Sequence, residues 1–163
     1  MQLEKYNLEK SKSEDIFYFM SEGMKNILKI VRYDLIPNPQ DYLLPEGVEL
    51  YNLGFGDVLN DSETNEEYFS DSERSNNGDK LKVLNTVAST VLLFFEKYPN
   101  EFIYVSGNSP SRNREYRIGI SKIHSKIIQE FDIAGLLKDE GEFYYWEDFE
   151  HNKSYYAFLM KKK

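Results

Sequence analysis

The chain has 163 residues, of which 40% are hydrophobic and 29% charged, with a formal net charge of −8 and no cysteine. The length favours one domain with a real hydrophobic core. The negative charge argues against broad non-specific binding to DNA or to an anionic membrane, because both need a positive field. The absence of cysteine excludes disulfides and thiolate chemistry.

The N-terminal segment MQLEKYNLEKSKSEDIFYFM is charged from its start and lacks the apolar core of a signal peptide. No apolar run approaches the length of a membrane span, since the longest is VLLFF. We therefore expect a cytoplasmic protein with no membrane partner.

Three strands are predicted before residue 60. DIFYFMSEG (15–23) is apolar and aromatic and ends in a turn sequence, which is typical of a strand. KNILKIVRYDLIPNP (25–39) has mixed side chains on both faces, so it predicts a long strand that is partly covered on both sides. GVELYNLGFGDVL (47–59) predicts the third strand.

An acidic segment follows the third strand. Residues 57–79 hold eight acidic residues and one arginine, with frequent Ser and Asn and few apolar residues. Such a composition cannot bury much apolar surface, so it predicts a long, mobile acidic loop at about 58–78.

Two helices and a short strand are predicted next. From 79 to 98 the apolar residues recur with helical spacing, and EFIYVSG (101–107) predicts a short strand. Ser109 followed by Pro110 fits a helix N-cap with proline at the first helical position. The apolar stripe that begins at Tyr116 continues to Phe131, which favours a helix over the alternative that 112–120 form a strand.

Two aromatic segments close the chain, FYYWEDF (143–149) and SYYAFLMK (154–161), and predict a hairpin over 143–161. The predicted fold is therefore a single α+β domain over residues 1–163. Its mostly antiparallel, twisted sheet has about six strands in the order β-β-β-α-β-α-β-β, with two helices packed on one face. If the aromatic hairpin is exposed, it predicts a contact with a protein partner or a homodimer.

The segment VSGNSPSRNREYR (105–117) holds the strongest candidate site. A strand that ends in Gly-Asn-Ser-Pro before a helix leaves backbone N–H groups free at the helix N-terminus, where an anion is favoured. Arginine side chains add charge-assisted donors whose fork matches a phosphate group. The candidate anion ligands are Gly107, Asn108, Ser109, Arg112, Arg114 and Arg117.

The same segment has an interpretation without a ligand. Ser109 would simply cap the helix, and the arginines would be solvated or would pair with the acidic residues of 57–79. Arg114 and Arg117 are three residues apart and can share a helix face, whereas Arg112 lies nearer the apolar stripe.

A second candidate site uses oxygen ligands. Asp57 and Asp79 could meet and hold a hard cation, as in a metal-dependent phosphoesterase. The alternative is that Asp57 ends a strand and Asp79 caps the next helix. The two histidines, His124 and His151, lie far apart in sequence and favour neither a metal site nor a general base. The sequence thus predicts no metal and no cofactor, and it leans away from an enzyme.

Four segments together resemble an uncharacterised family of small bacterial proteins, a domain of unknown function met mostly in the Bacteroidetes. They are FMSEGMKNILKIVRY, YNLGFGD, NNGDKLKVLNTVASTVLLFF and VSGNSPSRNREYRIGI. The family pattern often has Thr at the position of Ser109 and Leu at that of Glu115, and this chain departs there. The resemblance implies one module over nearly the whole chain and no known activity.

Three functions remain open from the residues. The favoured one is a binding module for a phosphate-bearing ligand, a nucleotide or nucleic acid, at residues 107–117. The second is a protein–protein module, such as one half of a toxin–antitoxin or defence pair. The third is the metal-dependent phosphoesterase.

Overall fold

A computed structural model describes residues 4–12, 15–60, 63–64, 67–70, 77–107, 109–127 and 129–163. These residues form two helices and a mixed, mostly antiparallel set of strands, so the predicted α+β class is confirmed. The described strands number nine, more than the predicted six. The elements are β1 Glu9–Lys10, β2 Ile16–Glu22, β3 Asn26–Ile36, β4 Leu50–Asn60, β5 Glu67–Ser70, α1 Lys80–Lys97, β6 Phe102–Val105, α2 Pro110–Ile127, β7 Phe131–Lys138, β8 Tyr144–Asp148 and β9 Phe158–Lys162.

The chain folds into two compact units, each made of two segments. The first unit contains Met1–Tyr33 and Gly54–Phe94, and the second contains Asp34–Leu53 and Phe95–Lys163. The expectation of a single domain stays a prediction. Within the described residues, neither helix is both long enough and apolar enough to cross a membrane.

The first unit packs α1 against antiparallel strands. Strand β2 pairs with β1 and β3, and the second half of β4 lies beside β3. Tyr33 of β3 stacks on Phe94 of α1 with ring centroids 4.6 Å apart, and its hydroxyl is 2.7 Å from the Thr90 hydroxyl oxygen. Burial raises the pKa of Tyr33, so this hydroxyl stays protonated and serves as a core hydrogen-bonding group.

The acidic segment is only partly a loop. Strand β4 extends to Asn60, and Glu67–Ser70 form β5, which pairs antiparallel with β4. The prediction of loop structure is wrong for these four residues, because Tyr68 and Phe69 give the segment enough aromatic character to form a strand. Residues 61–62, 65–66 and 71–76 lie outside the described residues, and the mobility of the segment stays a prediction.

The second unit contains a five-strand arrangement in which β6 lies beside the first half of β4 in parallel, followed by β9, β7 and β8. The pairs β6–β9, β9–β7 and β7–β8 are all antiparallel. The helix over 112–120 is confirmed, since α2 runs without a break from Pro110.

The predicted hairpin of 143–161 is wrong. Strands β8 and β9 each pair with β7, which lies between them. The predicted helical stripe reached Phe131, but α2 ends at Ile127. Phe131 fits the spacing of the helix and is also the first residue of β7. In β7, Phe131, Ile133 and Gly135 are buried at alternate positions, which is the two-residue period of a strand.

Candidate anion-binding site

Four strand ends of the second unit meet at one side of the sheet. Strands β6 and β7 run in the same direction and end there, while β8 and β9 begin there, as the pairs Val105–Phe158 and Lys138–Tyr144 show. Helix α2 starts five residues after β6 ends. The topology therefore places Gly107 and Ser109, the first turns of α2, the end of β7 and residues 154–156 around one space.

Ser109 caps α2 as predicted. Its hydroxyl oxygen accepts a hydrogen bond of 3.1 Å from the backbone N–H of Arg112, and its carbonyl accepts one of 3.1 Å from Asn113. Pro110 has no N–H to satisfy. The cap therefore fixes where the helix begins, and with it the direction in which the next side chains project.

Asn113 joins three parts of the site. Its side-chain oxygen accepts from the Gly107 N–H at 2.6 Å, and its side-chain nitrogen donates to the Tyr156 carbonyl at 3.0 Å. Gly107 is required beside it, since a Cβ there would lie 2.6 Å from the Cβ of Arg112. These contacts hold the turn, the helix and the segment before β9 in one arrangement.

The space between these elements is a cavity of about 780 Å³. Three of its lining residues are cationic, Arg114 and Arg117 from α2 and Lys138 from β7, and none of the described lining residues is acidic. The remaining lining residues are uncharged: Ser106, Gly107, Ser109, Pro110, Asn113, Leu137, Ser154, Tyr155 and Tyr156.

Arg114 is exposed and Arg117 half-buried. Both line the cavity. The predicted shared helix face of these two arginines is therefore the face that lines the cavity.

Arg112 has different surroundings. Its side chain is only 12% exposed and forms an ion pair of 3.2 Å with Glu115, one turn along α2. Its guanidinium carbon also lies 5.9 Å from the centre of the Tyr116 ring. Arg112 is not among the cavity-lining residues, so the structure separates it from the other two arginines of the motif. Asn108, also a predicted ligand, lies outside the described residues.

Lys138 is not among the anion ligands predicted from the sequence. Its ammonium group lies 4.9 Å from the ring centre of Tyr144 and 5.6 Å from that of Tyr156. The hydrogen bond to Tyr144 raises the pKa of Lys138, so the group is cationic at neutral pH. The alternation of β7 is the sequence signal that would have placed it at this strand end.

Tyr155 forms the floor of the cavity beside Gly135. A Cβ on Gly135 would lie 2.2 Å from the Tyr155 ring, so the ring occupies the space that a larger residue would fill. The Tyr155 hydroxyl donates to Glu147 at 3.2 Å and accepts from the Glu150 N–H at 3.0 Å. Burial, together with the nearby Glu147 carboxylate, raises the pKa of Tyr155, which keeps this wall of the cavity uncharged.

The aspartates of the proposed metal site have other partners in the first unit. Asp57 is buried and forms an ion pair with Lys29. The Asp79 carboxylate accepts hydrogen bonds of 2.5 Å from both the Tyr6 and the Ser21 hydroxyls. Among the described residues, no group of three or more His, Cys, Asp or Glu side chains is placed to hold a metal ion.

The hydrogen bonds to Asp79 predict a pH dependence of stability. Burial would raise the pKa of Asp79, but the hydrogen bonds from Ser21 and Tyr6 outweigh burial and lower it from the usual 3.8. A carboxyl whose pKa is lower in the folded state stabilises the fold above its unfolded-state pKa, and this contribution is lost as the pH falls through the folded-state value.

We expect Tyr6→Phe to lower the free energy of unfolding by about 1–3 kcal/mol at pH 7, because a hydrogen bond to a charged group is lost. The difference from the unsubstituted protein should shrink as the pH falls below the usual value of 3.8 and through the lower folded-state pKa of Asp79. Urea unfolding at several pH values measures both effects, and Tyr18→Phe is the control. A deficit that is the same at pH 3 and pH 7 would contradict the role of Asp79.

The fold and this cavity define an α+β protein with a cationic site on an acidic chain. Residues 2–163 match the model of a family described as a family of unknown function (DUF6934), and the chain belongs to that family. The resemblance to a family of unknown function is thus confirmed, while its bacterial setting stays a prediction. No curated protein and no solved structure matches the chain.

Proposed function

We propose that the protein is a binding module for a phosphate-bearing ligand, a nucleotide or nucleic acid, which occupies the cavity of the second unit. The observation that carries this proposal is the charge of the cavity wall. Three cationic side chains line it and no described lining residue is acidic, although the chain as a whole has a net charge of −8.

The side chains of the cavity have the chemistry that phosphate requires. Arg114 and Arg117 present guanidinium groups, which can donate two parallel hydrogen bonds to phosphate oxygens. Lys138 of β7 adds a point charge, and the hydroxyls of Ser106 and Ser154 can donate further hydrogen bonds. A cation cluster built from two elements favours a compact anion over a single carboxylate.

The arrangement exists before a ligand arrives. The Ser109 cap fixes α2, and Asn113 fixes the turn and the Tyr156 segment relative to that helix. The volume of about 780 Å³ lies within the range usual for small-molecule sites. A fixed site of this size loses little conformational entropy on binding, which increases affinity.

Isothermal titration calorimetry with ribose 5-phosphate and with a short 5′-phosphorylated oligonucleotide tests the proposal. We expect binding that weakens as the salt concentration rises, and an affinity about tenfold or more lower in Arg114→Ala or Arg117→Ala, because a charge-assisted hydrogen bond is lost. Lys162→Ala is the matched control, since Lys162 is an exposed cation of β9 outside the cavity. An unchanged affinity in both arginine variants would refute the proposal.

A further inference from the structure

We infer that the ligand of this cavity is a free nucleotide whose base packs against the ring of Tyr156 while its phosphate is held by Arg114 and Arg117. This inference rests on the proposed function and adds to it the chemical class of the ligand and the residue that recognises its base. It starts from the one lining aromatic ring that is well exposed.

Tyr156 differs from the other aromatic residue in the cavity wall. Its side chain is 51% exposed, whereas Tyr155 is buried at 6%. A half-exposed aromatic ring in a cavity wall has apolar surface that a planar ligand group can cover. Stacking of a base on such a ring adds affinity without depending on the identity of the base.

Two hydrogen bonds fix the backbone of Tyr156, and an edge-on aromatic contact restricts its ring. The backbone N–H of Tyr156 donates to the Leu136 carbonyl at 2.9 Å, and its carbonyl accepts from Asn113 at 3.0 Å. Tyr144 contacts the ring edge-on, with centroids 5.8 Å apart and planes at 86°. Tyr144 is therefore a positioning residue. Because its contact restricts the Tyr156 ring, that ring loses little conformational entropy when a ligand binds.

The Tyr156 ring and the cationic side chains of the cavity lie close enough for one small ligand to contact both. The Lys138 ammonium is 5.6 Å from the centre of the Tyr156 ring, and Lys138 and Tyr156 line the same cavity as both arginines. A ligand that fills the site therefore has a planar apolar part and an anionic part a short distance apart. A nucleotide has both, whereas a sugar phosphate or inorganic phosphate has only the second.

Charge around the cavity favours a free nucleotide over a nucleic acid strand. A strand needs cations along its path, since each further phosphate carries another negative charge. The exposed carboxylate of Glu142 instead lies near Lys138, and the net charge of the chain is −8. The three cations of the cavity suit the phosphate of one nucleotide.

Calorimetric titration of the unsubstituted protein with the four nucleoside monophosphates, ribose 5-phosphate and a 5′-phosphorylated oligonucleotide tests the inference. We expect the nucleoside monophosphates to bind roughly fivefold to a hundredfold more tightly than ribose 5-phosphate, which is the usual effect of stacking one base. Tyr156→Ala should remove this difference, and Tyr156→Phe should preserve it. Tyr145→Ala is the control, because Tyr145 is 41% exposed and lies outside the cavity wall.

Three outcomes overturn the inference, and they differ from failure of the proposed function. Equal affinity for ribose 5-phosphate and the nucleoside monophosphates would show that the base makes no contact with the protein. If Arg117→Ala also abolished the binding of both kinds of compound, the phosphate site would still stand. If the ratio of nucleoside monophosphate affinity to ribose 5-phosphate affinity is the same in Tyr156→Ala and in the unsubstituted protein, Tyr156 does not contact the base. If the oligonucleotide binds more tightly than every nucleoside monophosphate, the ligand is a nucleic acid strand and not a free nucleotide. If no phosphate compound binds at all, the proposed function itself fails.

Discussion

Lys29→Met is expected to lower the free energy of unfolding by about 3–5 kcal/mol, the largest stability effect we predict for a single substitution. Lys29 of β3 and Asp57 of β4 form an ion pair in the first unit, with side chains only 8% and 6% exposed. Removing the ammonium group leaves a carboxylate in the interior without its counter-charge. Water cannot solvate that carboxylate, so the full desolvation cost appears as lost stability.

A double variant separates the value of the ion pair from the cost of breaking it. Lys29→Met with Asp57→Leu replaces both charges by apolar side chains, and such replacements are often neutral or stabilising. We therefore expect the double variant to recover most of the stability that Lys29→Met loses. Urea unfolding followed by circular dichroism gives the free energies for both variants.

Lys153→Met is the matched control for this prediction. Lys153 pairs with Glu147 at 2.7 Å, but its side chain is 41% exposed. A solvated pair of this kind contributes only about 0–1 kcal/mol. Equal losses in Lys29→Met and Lys153→Met would show that burial does not determine the strength of the Lys29–Asp57 pair.

Local sequence signals predicted the parts of the fold that depend on neighbouring residues. The Ser109 cap, the proline at the first position of α2 and the helical period after it identified the helix correctly, since capping and periodicity are local properties. The candidate site was proposed from the same signals, because Gly107, Ser109 and the arginines of α2 lie within eleven residues of sequence.

Long-range pairing is the part that the sequence did not predict. The aromatic segments of 143–149 and 154–161 have the composition of a hairpin, yet β7 pairs with both and separates them. Strand pairing depends on which strands meet in the folded sheet, and the composition of a segment does not determine its partner strand. Strand β7 was not predicted, and so its last residue, Lys138, was not expected to line the same cavity as the arginines of α2.

Burial also decided between roles that the sequence left open. All three arginines of one short motif were candidate ligands, but Arg112 pairs with Glu115 while Arg114 and Arg117 line the cavity. Asp57 likewise was a candidate metal ligand, and the structure gives it an ammonium partner. In both cases the deciding contact comes from the geometry of the folded chain.

The division among the three arginines gives the largest predicted effect on binding. We expect Arg114→Glu with Arg117→Glu to lower the affinity for a phosphate compound such as ribose 5-phosphate by at least about a hundredfold. The double variant removes two charge-assisted contacts, each worth about 1.5–3 kcal/mol, and adds two repelling charges. Both side chains are exposed or half-buried, so the fold should tolerate the change, and thermal unfolding checks that it does.

Arg112→Ala should show the opposite combination of effects. Its guanidinium packs on Tyr116 and pairs with Glu115 inside α2, so its loss should lower the thermal stability while the affinity changes by about twofold or less. Calorimetric titration and thermal unfolding of the two variants side by side measure both quantities. A hundredfold loss of affinity in Arg112→Ala with unchanged stability would place the anion on the other side of α2. The cavity would then not be the binding site, because Arg112 does not line it.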